Sequence, residues 1–214
     1  MPNLGIDEVL TTTRAVRRRL DLERPVPRAV VEECLELAFQ APNGSNQQFW
    51  QWVLVDDPAT KAAMADLYRA GMDAHVARPR TAADAQIDYS TPEAQRIGAS
   101  VSHLRDHLHE VPVLLVAGIA GRLEGASIFE QASRWGSILP GVWSFMLALR
   151  SRGLGSAWTT VHLYKEREMA ELLGIPYDRV TQAGLFPVAY TIGTDFKPGN
   201  RTLSSSHVHW NRWG

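Results

Sequence analysis

Residues 144–160, SFMLALRSRGLGSAWTT, decide the fold class. The first half is an aliphatic helix pattern. Gly153 and Gly155 stop it, and from Ser156 to Val161 small and β-branched residues suit a strand. The chain therefore passes from helix through glycine into strand. A dinucleotide-binding fingerprint runs the other way, from strand through glycines into helix. These glycines do not mark such a site, although small residues there let a flat ligand approach the backbone closely. Read alone, they also serve as a simple helix cap.

Working outward, the helix extends back to about 128, and Pro140 is expected to kink it. VPVLLVAGIAG at 111–121 contains a strand at 112–118, rich in Val and Leu and buried on both faces. Further strands are predicted at 50–55 and 181–192. Helices are predicted at 5–20, 27–40, 59–70, 95–109 and 165–173, with Pro27 in the first turn of the second. Residues 71–95 carry Gly71, Pro79 and Pro92 among charged residues and read as loop and short helix, a candidate lid. The strands are scattered without a regular βαβα alternation, so the pattern favours α+β over a doubly wound sheet.

The bulk numbers bound the function. Of 214 residues, 45% are hydrophobic and 21% charged, which suits a folded chain with a sizeable core. Twenty-two Lys and Arg against 23 Asp and Glu leave a formal charge of -1, so a nucleic-acid surface is not expected. No apolar run approaches the roughly 18 residues that span a bilayer, and no secretory signal is visible. A single cysteine, Cys34, can form neither an internal disulfide nor a thiolate metal cluster. These features predict one soluble domain over 1–214 in a reducing, cytoplasmic compartment, with no membrane partner.

Four constellations carry chemistry. Arg14, Arg17, Arg18 and Arg19 lie within six residues. Placed on the predicted first helix, Arg14 and Arg18 share a face and could hold a phosphate bidentately; the plainer reading is a solvated basic face at a helix end. The loop Pro42-Asn43-Gly44-Ser45-Asn46-Gln47-Gln48 offers amides and backbone N–H groups that could rim a heterocycle, or merely turn a helix into a strand. Trp158-Thr159-Thr160 follows the glycines. Lys197-Pro198-Gly199-Asn200-Arg201 forms a basic tail, or an exposed turn. Motifs for a serine nucleophile, a P-loop or a zinc protease are missing. His103 and His107 have i, i+4 spacing but no acidic partner pattern, so no metal site is assigned.

Taken in order, these segments resemble the nitroreductase family of FMN-dependent oxidoreductases. The residues are Arg14-Ala15-Val16-Arg17-Arg18, APNGSNQQFWQW at 41–52, SFMLALRSRGLGS at 144–156, LLGIP at 172–176, and FPVAYTIG followed by FKPGNRTL. The likeness spans residues 10 to 210. It implies a three-layer α+β fold, a mostly antiparallel central sheet flanked by helices, in an intertwined homodimer whose 193–214 tail wraps the partner. It implies FMN at the interface, with NADPH or NADH as electron donor and a small electron-poor acceptor. Arg14, Ala15, Val16, Arg18, Lys197 and Arg201 would lie along the FMN phosphate and pyrimidine end. Pro42, Asn43, Ser45 and Asn46 would come from the partner chain. Trp158, Thr159 and Thr160 would lie along the ring near its reactive edge. The chemistry would be borne by the flavin, with no dedicated catalytic side chain. Three positions depart from the pattern: Val16 replaces a serine, Phe49 a proline, and Thr160 a frequent glutamate.

Overall fold

The computed structural model describes residues 4–81, 84, 88–201 and 206–213. Its sheet has the order β1-β2-β4-β3 and is antiparallel throughout. The strands are β1 (Trp50–Val55), β2 (Val113–Ala120), β3 (Leu154–Ser156) and β4 (Val180–Tyr190). Among the described residues there are six α-helices: α1 (Ile6–Thr12), α2 (Arg28–Ala38), α3 (Pro58–Ala77), α4 (Pro92–His107), α5 (Ile128–Ser151) and α6 (Glu166–Leu173).

The period-2 alternation of β2 builds the layers. Val113, Leu115, Ala117 and Ile119 pack with Cys34 and Ala38 of α2 and with Ile138, Val142, Phe145 and Leu149 of α5. Leu114 and Val116 point the other way, to Met64 and Tyr68 of α3, Leu104 of α4 and Met169 of α6. The sheet therefore lies between two helical layers, which explains why β2 and β4 are buried along almost their whole length. Each fully buried side chain such as Phe145 or Phe186 contributes about 1.5–3 kcal/mol. Cys34 sits wholly inside this core, where burial pushes its thiol up to about 11.

Helix starts follow capping chemistry. Asp57 accepts from the Thr60 N–H at 2.7 Å, and Thr91 from the Ala94 N–H at 3.1 Å. Ser127 and Glu130 form a reciprocal capping box at the start of α5. That helix runs unbroken through Pro140 to Ser151, and Gly153, at φ +75°, turns the chain into β3.

Four sequence expectations are corrected. The first helix stops at Thr12, not 20. Three threonines follow one another there, each returning its hydroxyl to a carbonyl behind it, and such residues propagate a helix poorly. Arg14–Arg19 are consequently not helical, and Arg14 and Arg18 share no helical face. Gly155 does not stop α5; it is buried in β3, where an added Cβ would lie 2.7 Å from the Thr191 methyl. The strand expected over 156–161 ends at Ser156, and residues 161–165 form a 3-10 turn. Gly71 does not break α3. It lets the helix touch the chain at Val161, whose carbonyl oxygen would be 2.3 Å from an added Cβ. Of the candidate lid at 71–95, the first part thus belongs to α3 and residues 92–95 to α4. Residues 82–83 and 85–87 lie outside the described residues.

Candidate functional site

The segment after α1 is held by pairing. Ala15 bridges Ser156 in parallel, with the Val16 N–H donating to the Ser156 carbonyl at 2.8 Å, and Leu20 bridges Thr191. This buries Val16 against Gly155 and leaves Arg14, Ala15 and Arg18 exposed. Arg14 donates through Nη1 to the carbonyl of Lys197 at 3.0 Å, 183 residues away. Gly199 lies between two guanidiniums. A Cβ there would be 3.5 Å from the Arg14 Cζ and 3.2 Å from the Arg201 Nη1. Among the described residues, no carboxylate pairs with Arg14, Arg18, Lys197 or Arg201. Fixed like charges without a counter-ion raise the local positive potential and suit an anion.

Beneath them lies a residue that the sequence reading missed. Arg150, in the last turn of α5, is only 4% exposed. It donates to the Thr12 hydroxyl at 3.1 Å and to the Thr194 carbonyl at 3.1 Å, and so ties the end of α1 to the start of the tail. Its guanidinium and that of Arg19 lie over the Phe196 ring, at 4.8 and 4.2 Å from the centroid. Arg19 also pairs with Asp195 at 2.5 Å. The Arg150 Nη1 and the Ser156 hydroxyl are buried with no protein partner, and both residues line a narrow cleft with Arg14. Orphaned buried donors carry a cost of about 1–3 kcal/mol each unless something occupies them. Arginine in a last helical turn looks like simple dipole compensation in sequence; no local signal reveals that this one turns inward.

The loop after α2 is built differently. Ser45, Asn46 and Gln48 all have φ near +53°, at 52°, 53° and 53°. Non-glycine residues pay for the left-handed region, and such clusters gather at functional sites. The Asn43 side chain accepts from the Gln48 N–H at 2.9 Å, and the Ser137 hydroxyl of α5 accepts from the Gly44 N–H at 2.9 Å. Asn43 is half-buried, while Pro42, Ser45 and Asn46 are exposed. The loop and α5 enclose a cleft of about 240 Å³, lined also by Phe49, Ser133 and Arg134.

The third segment is anchored on β4. The Trp158 indole N–H donates to the Ala183 carbonyl at 3.2 Å and the ring packs on Gly184. The Thr159 hydroxyl donates to the Leu185 carbonyl at 3.0 Å. Only Thr160 of the three is exposed. Just after it, His162 is fully buried, and burial pushes its imidazole down to about 4, against the opposing effect of the Gln182 amide.

The structure thus brings Arg14, Lys197 and Arg201 together with Val16 and Arg150. Arg18 lines a neighbouring groove with Ala15, Arg17 and Ser100. Pro42, Asn43, Ser45 and Asn46 lie on a separate loop, whose cleft shares no lining residue with the arginine cleft. Among the described residues no cluster of three or more metal-ligating side chains occurs, and no helix is long and apolar enough to cross a membrane.

Comparison with known proteins adds the family. A model described as the nitroreductase family matches residues 10–190. A protein named NADH dehydrogenase from Thermus thermophilus is 42% identical over 65 residues, which is 30% of this chain and 30% of that protein. The fold is shared with an iodotyrosine deiodinase solved with FMN and 3-iodo-L-tyrosine, at TM-score 0.73 and 21% identity over 98% of this chain and 100% of that one. It is shared equally with a mutant of an FMN and NADPH-dependent nitroreductase from Sphigopyxis sp. strain HMH, at TM-score 0.73 and 20% identity over 98% and 100% of the two chains. A BluB-like flavoprotein from Clostridium difficile 630 follows at TM-score 0.71 and 15% identity, over 98% and 100%.

Proposed function

The chain belongs to the nitroreductase family, and from that premise we propose that it is an FMN-dependent NAD(P)H oxidoreductase acting on an electron-poor acceptor, a nitroaromatic or quinone-like ring. The observation that carries this reading is the meeting of Arg14 and Arg201 around Gly199, beside the orphaned Arg150 Nη1 and Ser156 hydroxyl. Two forked cations and two unused donors fit a phosphate monoester.

When bound, FMN would supply the hydride chemistry, taking reducing equivalents from the nicotinamide and giving them to the acceptor in alternate half-reactions. The side chains hold and bias it. Arg14 and Arg201, helped by Lys197, would hold the phosphate. Arg18 would place positive charge by the pyrimidine edge, where negative charge develops on reduction. Ala15 and Val16 would back the cofactor with apolar surface. Trp158, Thr159 and Thr160 form a rigid wall, because the first two are tied to β4 carbonyls. Pro42, Asn43, Ser45 and Asn46 would come from a second copy. That assignment is supported by the lack of any shared residue between the two clefts of one chain. The working unit is then a cytoplasmic homodimer of one-domain chains, and protons come from solvent.

The purified protein is expected to be yellow and to bleach with NADH or NADPH. A colourless protein that takes up no added FMN would overturn the reading. Arg14→Ala is expected to weaken FMN binding at least tenfold, from one charge-assisted contact of about 1.5–3 kcal/mol; unchanged affinity refutes the phosphate role. A second reading keeps FMN but changes the chemistry to enone reduction, dehalogenation, flavin breakdown or simple sequestration. Thr160, exposed where the family often has glutamate, and the buried Val16 favour it. Bound FMN that neither nicotinamide reduces would decide for sequestration. FMN that is reduced but passes its electrons to an enone or a halogenated ring, and not to a nitroaromatic or quinone, would decide for the other chemistries.

A further inference from the structure

Arg134 of α5 lines the cleft beneath the loop after α2. Glu130 stands one turn before it, the usual partner for a helical ion pair. Its carboxylate is committed elsewhere, accepting from the Ser127 N–H at 3.0 Å and the Ser127 hydroxyl at 2.7 Å. Among the described residues no carboxylate lies within ion-pair distance of Arg134, although Glu130 stays near enough for the guanidinium to help hold its carboxyl below the usual range. The half-buried guanidinium lies instead over the Phe49 ring, 4.6 Å from its centroid. Phe49 thus forms an aromatic floor under Arg134. Stacking holds the planar fork in place and leaves its outer edge for an anion.

We propose that Arg134, seated on Phe49, is a specificity-determining residue that binds the carboxylate of an aromatic acceptor. The inference rests on the flavin-oxidoreductase reading above. Gln47 and Gln48 of the loop and Ser133 of α5 line the cleft with Arg134, and their amides and hydroxyl can complete the carboxylate's hydrogen bonds; the Glu130 carboxylate also lines it, held by Ser127. Its volume of about 240 Å³ is below the roughly 300–1,000 Å³ of sites for drug-sized ligands. It suits one substituted ring better than a nucleotide, so the acceptor, and not the 2′-phosphate of NADPH, is the anion assigned.

The test compares 4-nitrobenzoate with its neutral analogue 4-nitrobenzyl alcohol on the FMN-loaded protein. Arg134→Gln is expected to raise KM for 4-nitrobenzoate at least tenfold. KM for 4-nitrobenzyl alcohol, KM for either nicotinamide and FMN content should each change less than twofold. Arg134→Lys should recover part of the loss. Equal losses on both acceptors, no change on either, or a loss confined to NADPH would each overturn the proposal while leaving the flavin reading intact. If neither acceptor turns over, calorimetric titration of the FMN-loaded protein with 4-nitrobenzoate carries the test. A tenfold weaker fit in Arg134→Gln supports the subsite, and equal affinity sinks it. A protein that holds no FMN fails the earlier reading instead.

Discussion

The arginine end and the loop rim of the candidate site are stabilised in opposite ways. At the arginine end the contacts are long in sequence. Arg14 reaches Lys197 across 183 residues and Arg150 reaches Thr12 across 138. The backbone there is relaxed and the cost is electrostatic, several cations held close without carboxylates. At the rim the contacts are short, Asn43 to Gln48 and Asn46 to Gln48, and the cost is conformational, three non-glycine residues in the left-handed region. One region stores charge and the other stores shape. Each is expensive alone, and each is the kind of cost that a bound ligand or partner surface relieves.

The double variant Arg14→Ala/Arg201→Ala should separate them most. FMN affinity, read by fluorescence titration, is expected to fall more than a hundredfold, about 3 kcal/mol or more. Chemical denaturation of the chain without FMN should show no loss of stability, since like charges are removed. A folded-state loss with affinity intact would make the arginines structural and erase the contrast.

Acid should strike neither region first, but the buried imidazole behind Thr160. Above pH 6.5 His162 is neutral in both states. Between 6.5 and about 4 only the unfolded chain takes up its proton, so stability falls with pH by up to about 3 kcal/mol and no further loss comes from this group below 4. His162→Gln should flatten the profile of stability against pH in that window. An unchanged slope would show that His162 does not titrate as described.

The smallest effects belong to the rim. Asn43→Ala leaves the Gln48 N–H without its acceptor and should cost about 1 kcal/mol in denaturation, with FMN affinity falling far less than in the arginine double variant, because the Asn43 oxygen is already engaged with Gln48. Ser45→Gly should raise stability by about half a kcal/mol, as relief of left-handed strain slightly exceeds the extra entropy of the unfolded glycine. Destabilisation by that glycine would mean that Ser45 is not strained.

Much of this was legible in the chain. The β1 boundaries, the apolar β2, the stop at Gly174 (φ +66°) and the helix-to-strand passage at 153–156 all follow from apolar period and glycine chemistry. The α+β class followed with them. The error at Arg14–Arg19 has a clear cause. A basic run there fits a helix end, yet the segment pairs with β3 and with Thr191, and tertiary bridges override weak propensity. Gly71 and Gly155 misled in the same way. Both looked like breaks, whereas both are places where backbones touch, and nothing beside a glycine in the sequence announces a neighbour 90 or 139 residues off.

By itself the sequence determined which residue types stand where, the local period of each element, and the order of motifs that identifies the family. Those properties act within a few residues, through φ/ψ preference, side-chain alternation and caps. Only the tertiary structure decided that Arg150 faces inward, that Arg14 and Arg201 meet at Gly199, and that Phe49 comes to lie under Arg134. Each depends on packing or on closing a long loop, and the energy that selects among alternative partners for a charge exists only once the chain has folded around it.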